Sequence, residues 1–191
     1  MTLPAAVASL TGAFERLGIA WFVGGSVASV VYGEIRTTQD VDIVADLAPA
    51  HAPALAAALA AEFFVDAEFL AEAVHTGKPC NLIHRTTGFK VDVFVLRKRE
   101  FSRVEMARRV PFEFAKGQRA YLAAVEDCVL TKLEWYEKGG RVSDRQGRDV
   151  LGLLKGREAG IDRSYLQQWA PALGVGESLQ RALREAGYRS C

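Results

Sequence analysis

The chain has 191 residues, 50% of them hydrophobic and 25% charged, with a formal net charge of +1. That mixture belongs to a folded globular protein of one domain or of a small core with an appendage, and it excludes disordered, fibrous and two-enzyme classes. The charge is uneven: residues 37–77 carry seven acids and no Lys or Arg, while 78–191 carry a net +8. An acidic segment beside a basic one suits a metal and polyphosphate site, although both also fit ordinary solvated surface.

In chain order, Val7, Leu10, Phe14 and Leu17 fall at helical spacing before Gly18, which predicts an amphipathic first helix from Pro4 to Leu17. Ile19–Val23 reads as a strand running into Gly24-Gly25, with Ser26 opening a helix to about Tyr32. Asp40–Val44 alternates acids and aliphatics, the period of a two-faced strand, and Ala48–Ala61 reads as a helix. Asn81–Leu96 predicts a hairpin around Thr86-Thr87-Gly88, with Val91, Val93 and Val95 on one face and Lys90, Asp92 and Phe94 on the other. Short strands follow over 109–114 and 120–122, then a helix with Val125, Val129, Leu130, Leu133 and Tyr136 on one face, a break at Gly139-Gly140, and helical segments at 150–154, 165–169 and 179–183.

Three cysteines, Cys80, Cys128 and Cys191, are too few for a disulfide framework and lack metal-ligand spacing, which points to a reducing, cytoplasmic setting. The longest apolar stretch, Ile19–Val31, is broken by Gly24, Gly25 and Ser26 and is shorter than the ~20 residues of a membrane span. No charged start with a cleavable apolar segment precedes it, so neither export nor membrane insertion is expected. His51, His75 and His84 have no mutual metal spacing and default to structural roles, and Trp21, Trp135 and Trp169 to core or domain contacts.

An Asp-x-Asp pair alone is close to a chance event, so its context has to discriminate. Asp40 and Asp42 stand at i and i+2 of a strand and project from the same face. Two carboxylates held that close repel unless a hard divalent cation converts repulsion into coordination, which makes them candidate Mg²⁺ ligands. Asp92 projects from a different strand, on the face opposite its aliphatics, so that three carboxylates on two adjacent strands make a candidate two-metal pocket. Upstream, the bare backbone of Gly24-Gly25 and the hydroxyl of Ser26 offer amides and a donor to a phosphate.

Gly24-Gly25-Ser26, Tyr32-Gly33, Arg36-Thr37-Thr38-Gln39-Asp40-Val41-Asp42 and the later Lys90-Val91-Asp92 together resemble the polymerase-β nucleotidyltransferase superfamily. The chain is most similar to its small bacterial minimal nucleotidyltransferases, including the AbiEii type of toxin component. The likeness is strong over residues 19–96 and continues weakly through Glu126-Asp127, Lys132-Leu133 and Arg148-Asp149. It implies transfer of a nucleoside monophosphate from an NTP to a hydroxyl acceptor, with release of pyrophosphate. It further implies that Asp40 and Asp42 bind both metals and that Asp92 holds the catalytic one and helps remove the acceptor proton. Gly24, Gly25 and Ser26 are then phosphate contacts, Arg36 steadies a loop or a phosphate, and Lys132 neutralises the triphosphate. The role of Asp149 stays open.

These readings predict an α/β core with a short mixed sheet and flanking helices over 1–117, and a helical C-terminal region over 118–191. Two Mg²⁺ ions and an NTP are the expected ligands, the acceptor is open between tRNA, protein and a small molecule, and a toxin role implies a cognate antitoxin. The basic run Arg97, Lys98, Arg99, Arg103, Arg108, Arg109 is either an RNA-backbone contact or a solvated connection. The rival readings are an antibiotic-modifying nucleotidyltransferase, which the acid-rich 37–77 stretch keeps open, and a non-catalytic NTP- or partner-binding module. The sequence has no Gly-x-x-x-x-Gly-Lys loop, Gly-x-Gly-x-x-Gly fingerprint, His-Glu-x-x-His or Gly-x-Ser-x-Gly elbow.

Overall fold

The computed structural model describes residues 3–33, 40–142, 144–155 and 160–188. They fold as two compact units, one of residues 1–27 and 38–123, the other of residues 28–37 and 124–191. The first carries a seven-stranded mixed sheet with helices against it, so the protein is of the mixed α/β class.

The strands are β1 (Trp21–Val23), β2 (Val41–Ala45), β3 (Phe63–Phe64), β4 (Cys80–His84), β5 (Lys90–Val95), β6 (Val110–Ala115) and β7 (Gln118–Leu122). Their order across the sheet is β3-β4-β5-β2-β1-β7-β6. The β2–β5 and β1–β7 pairs are parallel and the remaining pairs antiparallel. Alternation fixes which side chains go inward: Val41, Ile43 and Ala45 of β2, Val91 and Val93 of β5, and Cys80, Leu82 and His84 of β4 are all buried. Slipping any of these strands by one residue would turn that whole set outward, so the register is strongly specified.

Helix α3 (Ala52–Leu59) packs on both α1 (Leu3–Arg16) and α4 (Ala67–Thr76), and α4 packs on β4. They bury Leu10, Phe14, Leu55, Leu59 and Leu70, each worth ~1.5–3 kcal/mol of transfer out of water. A 3-10 turn over Pro49–His51 precedes α3, so the helix expected from Ala48 begins later. The sequence reading contained neither β3 nor α4. Yet α4 carries its own punctuation: the Asp66 carboxylate accepts from the amides of Glu68 (2.6 Å) and Phe69 (3.1 Å), and Gly77 ends the helix in the left-handed region.

The basic run begins just before α5 (Glu100–Arg108), an ordered helix with Phe101 and Met106 buried, which the expected solvated connection did not contain. Arg109 donates to the Met106 carbonyl and its guanidinium lies 4.7 Å from the centre of the Tyr121 ring. The Trp21 ring packs edge-on against the same tyrosine.

The second unit holds α6 (Val125–Lys138), α7 (Asp144–Lys155), α8 (Arg163–Trp169) and α9 (Gly176–Glu185). Helix α6 packs on α7, α8 and α9, burying Val129, Leu130, Leu133, Leu153, Leu166, Leu179 and Leu183. It also buries charge. Asp127, fully enclosed, accepts from the Tyr165 hydroxyl at 2.5 Å, Glu126 accepts from the Asp162 amide at 3.0 Å, and Lys132 bonds Asp149. Arg141 ties Glu137 of α6 to Glu177 of α9 and holds the Glu137 carboxyl below its usual range, with the Ser178 hydroxyl assisting. Trp135, expected in a core or domain contact, is instead 44% exposed with Lys138 over its ring, because it stands on the polar side of α6.

The units part between Ala123 and Ala124, six residues beyond the expected division at 117. Gly117, at φ +77°, is the turn of the β6–β7 hairpin, and β7 pairs with β1, so residues 118–122 belong with the sheet.

Candidate active site

The three candidate carboxylates lie in the first unit, on one face of two neighbouring parallel strands. Asp42 of β2 is the register partner of Asp92 of β5, and their side chains leave the sheet on the same side. Adjacent strands run ~4.8 Å apart, which brings the two acids side by side. Asp92 is only 16% exposed; Asp40, just before β2, is 56% exposed. On its other side Asp92 is the register partner of Asn81 on β4.

The glycine turn fits against this pair. The Gly24 amide donates to the Asp42 carbonyl at 2.9 Å, continuing the β1–β2 ladder. Gly25 has φ +53°, and a Cβ built there would lie 1.7 Å from Asp42 Oδ2. Any other residue would have to displace the carboxylate and adopt the left-handed region as well. The Ser26 amide, in the first turn of α2 (Gly25–Val31), points at the same Asp42 oxygen at 3.4 Å. Gly24, Gly25 and Ser26 are thus held against Asp42, sixteen or more residues on in sequence.

Lys90 was not among the expected site residues. Its ammonium stands 2.9 Å from Asp92 Oδ2 and 3.9 Å from Asp40 Oδ1. The hydrogen bond that the ammonium donates to Asp92, with the charges of Asp92, Asp40 and Asp42, holds the lysine above its ordinary pKa. The signal was present in the sequence, since Lys90 and Asp92 share the i, i+2 face of β5. The other Asp92 oxygen, Oδ1, is buried and has no hydrogen-bond partner among the described residues.

Among the described residues no three His, Cys, Asp or Glu side chains stand as a preformed metal cage. A divalent cation nevertheless fits this donor set chemically: hard carboxylate oxygens, one of them buried without a partner and another already facing a cation. Of the remaining expected residues, Arg36 lies outside the described residues, as does Cys191. Lys132 lies in the helical unit, where its ammonium meets Asp149 Oδ2 at 2.6 Å with both groups buried. His84 is a buried structural residue, bonded to Thr87 Oγ1 and packed edge-on against Phe63.

No protein-family profile matches this chain, and no curated protein matches it. Solved structures do. The chain is similar to an antigenic nucleotidyltransferase-like protein from Paracoccidioides brasiliensis, with a TM-score of 0.58 and 22% identity over 98% of this chain and 94% of that one. It is also similar to ANT(2'')-Ia in complex with adenylyl-2''-tobramycin, with a TM-score of 0.52 and 9% identity over 91% of this chain and 98% of that one. The fold is therefore that of nucleotidyltransferase-like proteins. No helix of the described residues is long and apolar enough to cross a membrane.

Proposed function

We propose that this chain is a divalent-metal-dependent nucleotidyltransferase that moves a nucleoside monophosphate from an NTP to a hydroxyl acceptor. The observation that carries this reading is the register pairing of Asp42 with Asp92, with Gly25 pressed against Asp42 where no side chain fits. In this reading Asp40, Asp42 and Asp92 hold Mg²⁺, which when bound neutralises charge on the triphosphate and on the attacking and departing oxygens. The Gly24–Ser26 backbone receives phosphate oxygens beside Asp42. The acceptor oxygen bonds to the α-phosphorus, the bond from that phosphorus to the bridging oxygen breaks, and pyrophosphate leaves with the electron pair. Asp92 takes the acceptor proton.

The finer reading, an AbiEii-like toxin component with RNA as acceptor and a cognate antitoxin, rests on the sequence motifs. A neighbouring gene for a small regulator would favour it. An antibiotic acceptor predicts instead that a cationic small molecule takes up label from the NTP. The core proposal is tested by thermal shift with Mg²⁺ and NTP, alone and together. A ligand that binds only the folded state raises the melting temperature, so the pair should stabilise more than either component. No Mg²⁺-dependent shift at millimolar NTP would overturn it.

A further inference from the structure

We propose that Lys90 is the built-in counter-ion of the Asp40–Asp42–Asp92 cluster, and that a divalent cation enters by exchange with its ammonium, so that Lys90 sets the metal affinity of the site. This rests on the reading of those carboxylates as metal ligands. The Lys90 ammonium bridges Asp92 Oδ2 at 2.9 Å and Asp40 Oδ1 at 3.9 Å, a position between two carboxylates that is equally suited to a divalent ion. Without some cation there, acids on facing strand positions repel one another.

The compensation is partial by construction. Even with the ammonium on Oδ2, Asp92 Oδ1 stays buried without a partner among the described residues. A divalent ion supplies more charge to the same oxygens. The lysine can leave at little cost, because its side chain is 38% exposed and sits on a flexible four-carbon stem. Lys90 thus steadies the metal-free site and competes with the metal for it.

The test compares wild type, Lys90→Met and Lys90→Arg for Mn²⁺ affinity, read from the electron paramagnetic resonance signal of free Mn²⁺, and for melting temperature in EDTA. Lys90→Met should bind Mn²⁺ about two- to five-fold tighter, the range expected for loss of a partly exposed opposing charge. It should also melt lower than wild type in EDTA, with the gap closing as Mn²⁺ is added. Lys90→Arg, which keeps the charge, should bind no tighter than wild type. Equal or weaker Mn²⁺ binding by Lys90→Met, or tighter binding by Lys90→Arg, would overturn the competition while leaving the metal site intact. Failure of Mn²⁺ to bind any of the three proteins would instead remove the metal-site reading, and this proposal with it.

Discussion

Lys132 and Asp149 face each other from α6 and α7 as a buried ion pair, with Nζ 2.6 Å from Oδ2 and side chains 9% and 5% exposed. An ammonium in that setting has lost its water, so breaking the pair from one side is costly. Lys132→Met alone should lower the unfolding free energy by about 3–5 kcal/mol, because it removes one member of a buried, hydrogen-bonded ion pair. The double variant Lys132→Met with Asp149→Leu should recover part of the loss. Urea denaturation of the singles and the double decides it, and fully additive losses would mean that the two groups are not coupled.

Gly25→Ala should cost both stability and ligand binding. The left-handed conformation alone costs a residue with a Cβ about 1–2 kcal/mol, and here that Cβ also meets Asp42 Oδ2. The Mg²⁺-plus-NTP thermal shift should disappear in a variant that still folds. An unchanged shift would show that the Asp42 position is not needed for binding.

Burial raises the Cys80 thiol to a pKa of about 11, from an ordinary value near 9. The folded chain therefore keeps a proton there that the unfolded chain gives up, and the associated stability is complete below pH 9 and lost as pH rises towards 11. The loss by pH 10.5 should be about 2 kcal/mol, and Cys80→Ala should flatten that part of the profile. Urea midpoints at pH 8 and pH 10.5 for both proteins measure it. The same pH response in both would assign the alkaline loss to other groups.

The sequence was most informative where a pattern is local. The alternation of Val91 and Val93 against Lys90 and Asp92, with a Thr-Thr-Gly turn, places the β4–β5 hairpin within a residue or two. The helical spacing from Val125 likewise places α6. The acid-bearing strands were read as adjacent, but not their parallel direction or the register that sets Asp42 opposite Asp92, because that pairing joins segments fifty residues apart. Lys90 was assigned to the same face as Asp92 and passed over although that shared face already offered the contact; only its second partner, Asp40, comes from a distant segment. The two-residue β3 is too short for any periodicity, and α4 was lost although Asp66 and Gly77 bracket it. The ion pair of Lys132 with Asp149 was not anticipated, since nothing local to α6 announces a partner seventeen residues on.

The most direct measurement of the central claim is label transfer by Asp92→Asn. The substitution keeps size and most hydrogen bonding but removes the charge opposite Asp42. Wild type and variant are incubated with Mg²⁺, each of the four NTPs labelled at the α-phosphate, and total cellular RNA, protein or aminoglycosides in turn. Wild type should label one acceptor class, and Asp92→Asn should fall by at least about a thousand-fold while retaining part of its nucleotide-dependent thermal shift. Equal labelling by the two proteins would contradict the assignment of Asp92 to the reacting centre, and with it the carboxylate-pair account of this site.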